Sequence, residues 1–236
     1  MRQSQSDHAK FTTMVLLLAG IGILIFIGEQ ENVMAAEQPP RVIELPGPKF
    51  DGPVPLEKAL AQRRSVRSYQ PIPLSLEEIG QLLWAAQGIS SSRGYRTAPS
   101  AGATYPLEMY ISAVNVEDLA PGVYRYRPRE HDLVSIADGG RRDELTRAAL
   151  RQGAIQDAPA VFIVTAKYAR TTGRYGEGGF RYVHMEAGHA AQNLCLQAVA
   201  RGMGAVVIGA FRDREIRAAL GLRSDETPLY VIPVGK

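Results

Sequence analysis

Hydrophobic positions fall into two rhythms after residue 55, and each rhythm predicts its own kind of element. Leu56, Ala59 and Leu60 share one face of a short helix over residues 56–64. Ser75-Leu-Glu-Glu78 has the spacing of a capping box, and Ile79, Leu82, Leu83 and Ala86 then repeat at three and four, so a helix runs over residues 75–87 and ends at Gly88. Further helices are predicted over residues 141–152, 180–201 and 212–220. Apolar positions cover most of the circumference of the 180–201 segment, which predicts burial on more than one side.

The second rhythm is that of strands. Strands are predicted over residues 107–114, 122–126, 133–137, 205–208 and 229–234, Tyr124 and Tyr126 alternating with Val123 and Arg125, while the unbroken apolar run at residues 160–166 reads as a strand buried on both faces. Strands and helices mix without internal repeats, and neither GxGxxG nor GxxxxGK[ST] occurs. The pattern is therefore α+β around a central sheet, and it excludes a dinucleotide-binding or nucleotide-hydrolysing domain built on those motifs. Residues 89–105 and 171–179 are polar and glycine-rich and read as loops.

Ahead of the domain the character changes. Residues 12–27 carry no charge, with Arg2 and Lys10 before them and Glu29, Glu31 and Glu37 after. That asymmetry keeps the N-terminus inside and sends the rest of the chain outward. Small residues up to Ala36 suit a signal peptidase, so residues 1–36 read as a signal peptide, with an uncleaved N-terminal membrane anchor as the alternative. The implied location is extracytoplasmic, either free or facing outward from the membrane. Six prolines between Gln38 and Pro55 make residues 37–55 an extended linker on or leading to a domain over 56–236.

The 236 residues are 45% hydrophobic and 22% charged, with a formal net charge of +3 and no basic tract interleaved with aromatics, which argues against a nucleic-acid partner. Cys195 is the single cysteine and excludes an intramolecular disulfide; its place in a helix suits a small buried hydrophobe. His184, Glu186 and His189 do not share one helical face, so no metal is expected there.

Candidate chemistry concentrates in Ala61-Gln-Arg-Arg-Ser-Val-Arg-Ser-Tyr69. Arg63, Ser65 and Arg67 stand two residues apart and would line one side of an extended segment, where guanidinium forks and a hydroxyl suit a phosphate; a solvated basic turn fits the same residues. In the 89–105 loop, the small residues Ser100, Ala101, Gly102 and Ala103 would let a planar ligand approach the backbone, with Arg96 and Ser100 as hydrogen-bond donors. A surface loop is the alternative.

Taken in order, RRSVRSY, APSAGATYPLEMY, GVYRYRP, RYGEGGFRYVHMEAGHAAQNL, GAVVIGAF and PLYVIPVG resemble the nitroreductase family, and within it the SagB-type, azoline-dehydrogenase-like branch. The resemblance implies a central mixed, mainly antiparallel sheet flanked by helices, an FMN cofactor, and a homodimer with flavin at the subunit interface. By motif position, Arg63, Ser65 and Arg67 would hold the phosphate and ribityl chain, with Arg64 contributing at least its backbone. Pro99, Ser100, Ala101, Gly102 and Ala103 would line the isoalloxazine. Val207, Ile208 and Gly209 would lie against the ring, the Gly209 amide pointing toward N5.

Two departures qualify the resemblance. Ala103 stands where many members have asparagine, and Arg174-Tyr175 stands near the Lys-Tyr pair of azoline-oxidising members. Arginine is no base at neutral pH, so Tyr175 is left as the acid/base or substrate contact. Members commonly carry basic residues after the last strand that touch the phosphate; Lys236 is the candidate for that contact, and the alternative is that the contact is missing. The implied activity is ping-pong hydride transfer through flavin N5, oxidising a small molecule or peptide heterocycle; the alternatives are nitro or quinone reduction, or a non-catalytic flavin-binding or scaffold role.

Overall fold

The structure is a computed structural model that describes residues 40–236; the expectations for residues 1–36 lie outside the described residues. Strands β1 (Val42–Glu44), β2 (Leu107–Ala113), β3 (Gly122–Arg127), β4 (Asp132–Asp138), β5 (Ala160–Ala166), β6 (Gly204–Ala205) and β7 (Thr227–Gly235) form one sheet. Its order is β1-β4-β3-β2-β5-β7-β6, and every pairing between these strands is antiparallel. Two parallel bridges, Ser65 to Ala205 and Leu74 to Val116, lie outside the named strands.

Helices cover both faces. They are α1 (Leu56–Gln62), α2 (Leu76–Gln87), α3 (Arg142–Ala148), α4 (Gly153–Asp157), α5 (Ala169–Tyr175), α6 (Gly178–Ala200) and α7 (Asp213–Leu220). On one face Ile79, Leu82 and Leu83 of α2 and Val183, Ala190 and Leu194 of α6 pack on Met109, Ile111, Tyr124 and Phe162. On the other, Leu145, Ile155, Ile216 and Leu220 pack on Tyr110, Val161, Ile163 and Val231. Strand β5 is buried along its whole length, as its apolar run predicts. The capping box forms, with the Glu78 amide donating to Ser75 Oγ at 3.2 Å and the Ser75 amide to Glu78 Oε2 at 2.8 Å. Among the described residues no helix is long and apolar enough to cross a membrane.

Several segments differ from the pattern reading. Within the proline-rich stretch, Val42–Glu44 adds an edge strand beside β4, and Lys49 exchanges backbone hydrogen bonds with the Gln81 side chain at 2.8 and 3.0 Å. The predicted helix over residues 141–152 breaks after Ala148, where Leu150 and Arg151 take φ of 59° and 61°. The glycine-rich 171–179 segment is helical, not a loop: α5 fills most of it, and Gly179 is the closest approach of α6 to α5. A Cβ there would stand 2.9 Å from Thr172 Cα. Helix α6 buries one stripe, and Phe180, Tyr182 and Met185 stay 38–53% exposed on the single chain.

The arginine-rich segment after α1 is held by backbone rather than by its charges. The Val66 amide donates to Ala205 O at 3.0 Å, the Gln70 amide to Lys236 O at 2.6 Å, and the Tyr69 hydroxyl lies 2.8 Å from Val66 O and 3.0 Å from Pro233 O. Two glycines permit this approach: a Cβ on Gly204 would meet Val66 Cβ at 2.6 Å, and one on Gly235 would meet Tyr69 Cβ at 2.7 Å. Substituting Gly204→Ala therefore forces the segment away from β6. The expected loss of stability is ~1–3 kcal/mol in urea unfolding, the scale of an overpacked contact; an unchanged midpoint would show that the contact relaxes freely.

Candidate functional site

Two clusters gather the residues predicted from the sequence. The first joins the arginine segment to the turn after β6. Arg63 caps the C-terminal end of α1, its amide donating to Ala59 O at 2.9 Å, and Ser65 bridges Ala205. Only Val206 separates Ala205 from Val207, so the bridge joins the basic segment to the strand that leads into the Val207–Gly209 turn. Neither Arg63 nor Arg67 has a carboxylate within ion-pair distance among the described residues.

Within the turn, Ile208 is buried and exchanges backbone hydrogen bonds with Val231 at 2.9 and 3.0 Å, while Val207 is 38% exposed. Gly209 is exposed, and its amide makes no backbone hydrogen bond among the described residues. The turn thus offers a backbone donor a few residues beyond the point where the basic segment bridges Ala205. Arg64 is different: its Nη1 curls back onto Ala61 O at 3.0 Å and Arg63 O at 2.7 Å. Lys236 is engaged too, in an ion pair with Glu78 at 2.9 Å.

The second cluster sits around a single 3-10 turn, Ala101–Ala103, with Ser100 at its cap. Here the structure brings together the 99–103 segment and the Arg174-Tyr175 pair. Arg174 Nη1 donates to Gly102 O at 3.2 Å, and the Tyr175 ring stands edge-on to Tyr182 with centroids 5.2 Å apart. Gly102 has φ +59°, and a Cβ on it would lie 2.5 Å from the Tyr175 hydroxyl. No larger side chain fits.

Arg96 departs from its expected role. It turns inward, with Nη1 donating to Gln87 Oε1 at 2.7 Å and the guanidinium over the Tyr105 ring at 4.6 Å, so it is not offered to a ligand beside Ser100. The Ser100 hydroxyl accepts from the Tyr105 amide at 2.9 Å.

One group of the second cluster carries no sequence expectation beyond its rejection as a metal ligand. Glu186 of α6 is 3% exposed and its Oε1 has no hydrogen-bond partner. Burial pushes its carboxyl up to about 7, against the opposing pull of the Ser100 hydroxyl and the Arg96 charge. The signal was present as an acid in an apolar stripe, since Val183, Glu186, Ala187 and Ala190 follow helical spacing. Farther along α6, Cys195 is buried, its thiol pushed up to about 11, and it feels the Arg63 charge. Nine residues of helix separate Glu186 from Cys195, so the two clusters lie about 13 Å apart along α6.

A profile described as the nitroreductase family matches residues 60–236. The chain belongs to the nitroreductase family. A candidate nitroreductase of Methanocaldococcus jannaschii is 50% identical over 183 residues, covering 78% of this chain and 91% of that one. A crystal structure of a candidate nitroreductase from Anabaena variabilis matches with TM-score 0.74 and 30% identity over 84% of this chain, which spans 42% of the length of that protein. A third, from Ralstonia eutropha, matches with TM-score 0.73 and 31% identity, covering 83% of this chain and 89% of that one. The chain is a nitroreductase-family oxidoreductase with the sheet and flanking helices of that fold.

The Glu186 carboxyl sets a pH dependence of stability. Its folded value of about 7 lies above the ordinary 4.5, so the folded state holds the proton more tightly than the unfolded chain. Stability from this group is full below pH 4.5 and is lost as pH rises toward about 7, a change of ~3 kcal/mol in all. Thermal unfolding from pH 5 to 8 should show this decline in the wild type and not in Glu186→Gln; parallel curves would remove Glu186 as its source.

Proposed function

We propose that the chain is an FMN-dependent oxidoreductase, with Arg63, Ser65 and Arg67 holding the phosphate and ribityl end, and Val207, Ile208, Gly209 and the Pro99–Ala103 segment meeting the ring system. When bound, FMN supplies reversible hydride acceptance and donation at N5. The observation that carries the reading is the first cluster: a segment whose Arg63 and Arg67 have no carboxylate partner among the described residues bridges Ala205, which leads into an exposed turn whose Gly209 amide makes no hydrogen bond among those residues. An anion clamp and a backbone donor at the redox atom are what a flavin requires of its protein.

At the second cluster, the chain's own groups are donors. Arg174 is a permanent cation anchored on Gly102 O, and the Tyr175 hydroxyl lies against the same glycine. Donors orient and polarise an electron-poor acceptor, and Tyr175 can pass it a proton, which favours reduction of a nitro or quinone compound. The name of the Methanocaldococcus relative points the same way. The second reading is dehydrogenation of a small molecule or peptide heterocycle, favoured by the branch-like order of RYGEGGFRYVHMEAGHAAQNL; it would require Tyr175 to accept the proton.

Exposed Phe180, Tyr182 and Met185 on α6, of which Tyr182 stacks edge-on with Tyr175, support a homodimer in which a second copy covers these side chains and the two clusters of different subunits face one flavin. The charge asymmetry around residues 12–27 supports an exported or membrane-tethered protein.

Replacing Arg67 by alanine should weaken FMN binding by about one to two decades with the fold retained, since a charge-assisted contact contributes roughly 1.5–3 kcal/mol. Flavin fluorescence titration measures it, and unchanged affinity would refute the phosphate clamp. Tyr175→Phe should keep FMN and lose turnover on nitro and quinone acceptors; full activity would take Tyr175 out of the reaction.

A further inference from the structure

A hollow of about 550 Å3 opens between the turn joining β3 to β4 and the loop that follows α2, and five arginines line it: Arg93, Arg96, Arg125, Arg127 and Arg129. They come from two sequence-remote stretches, so the crowding is a product of the fold and not of a basic run. Guanidiniums sharing one concavity repel one another unless a counter-charge stands among them.

The chain's own carboxylates do not provide it. Asp132 is taken by Arg127, whose Nε donates to Oδ1 at 2.7 Å. Glu108 lines the hollow but is taken by Arg170 at 2.6 Å, and Glu130 stands exposed at the rim. That leaves Arg93, Arg96, Arg125 and Arg129 without an ion-pair partner among the described residues.

Two of the four are not ordinary solvated surface. Arg125 Nε is buried without a hydrogen-bond partner among the described residues, and buried donors are nearly always satisfied. Arg96 hydrogen-bonds only neutral groups, Gln87 Oε1 and Leu107 O, and burial lowers its pKa against the opposing pull of Glu108 and Glu186, neither of which stands within ion-pair distance. The volume lies within the range of small-molecule pockets.

We propose that this hollow is a second ligand site, separate from the phosphate clamp, that binds a small molecule carrying two or more oxyanion groups. Planar guanidinium forks match carboxylate and phosphate oxygens equally well, so the shared chemistry is the multivalent oxyanion. Ala103 and Tyr105 line the hollow and stand one and three positions after Gly102, so the site borders the segment that carries the second cluster.

Calorimetric titration of the full chain as purified, with flavin content recorded, tests this with inorganic pyrophosphate in one arm and citrate in the other, each against sodium chloride of matched ionic strength. The expected result is saturable binding of at least one anion, weakened about tenfold or more in the double variant Arg93→Gln/Arg129→Gln and unaltered in Arg67→Ala. Both substituted arginines are exposed, and a thermal melt verifies the fold. Preference between the arms assigns phosphate or carboxylate. Absence of saturable binding in both arms, equal affinity in the double variant, or loss of binding in Arg67→Ala would each overturn the site. Flavin content is a separate readout, so a protein without flavin that still binds the anion counts against the FMN reading alone.

Discussion

The backbone contact between the arginine segment and the C-terminal edge of the sheet is the constraint on which the site depends. Val66 and Tyr69 lie where Cβ atoms on Gly204 and Gly235 would stand, and the segment's amides bond Ala205 and Lys236. Because the position is set by main chain and close packing, the arginine side chains need make no internal ion pairs. They remain available for an external anion. A charge cluster positioned by its own salt bridges would already be neutralised.

Helix α6 relates this segment to the second cluster. Its buried stripe faces the sheet, with Cys195 near Arg63 at one level and Glu186 near Ser100 at another. An acid at an otherwise apolar position is costly when charged, and the structure accommodates it by favouring the protonated form. The same helix leaves aromatic and methionine side chains exposed near Tyr175. One element thus carries a buried ionisable group, the spacing between clusters and an uncovered apolar surface.

The local chemistry of the chain was readable from single segments. The capping box at Ser75, the strands β2 to β4 and the unbroken apolar run of β5 all depend on neighbours within a few residues, and all formed. Family-ordered motifs singled out Arg63, Ser65 and Arg67, Pro99 to Ala103, Val207 to Gly209 and Tyr175 as candidates around a flavin; that Pro99 to Ala103 meet Arg174 and Tyr175 was seen only in the structure. Less legible were features whose cause lies far away in the chain. Val42–Glu44 became a strand only because the edge of β4 was open beside it. Glycines at 173, 176 and 179 look like loop residues, yet one serves a helix–helix approach.

The sequence by itself determined the α+β class, the main elements and the candidate residues, since periodicity, caps and residue chemistry are local properties. Tertiary structure alone decided which of those residues are free to act. Arg96 is turned onto Gln87 and away from Ser100, Arg64 is bonded to its own backbone and Lys236 to Glu78, whereas among the described residues Arg63 and Arg67 have no carboxylate partner and Glu186 is buried beside Ser100. A side chain's availability is fixed by what packs against it, and those partners are far away in the chain.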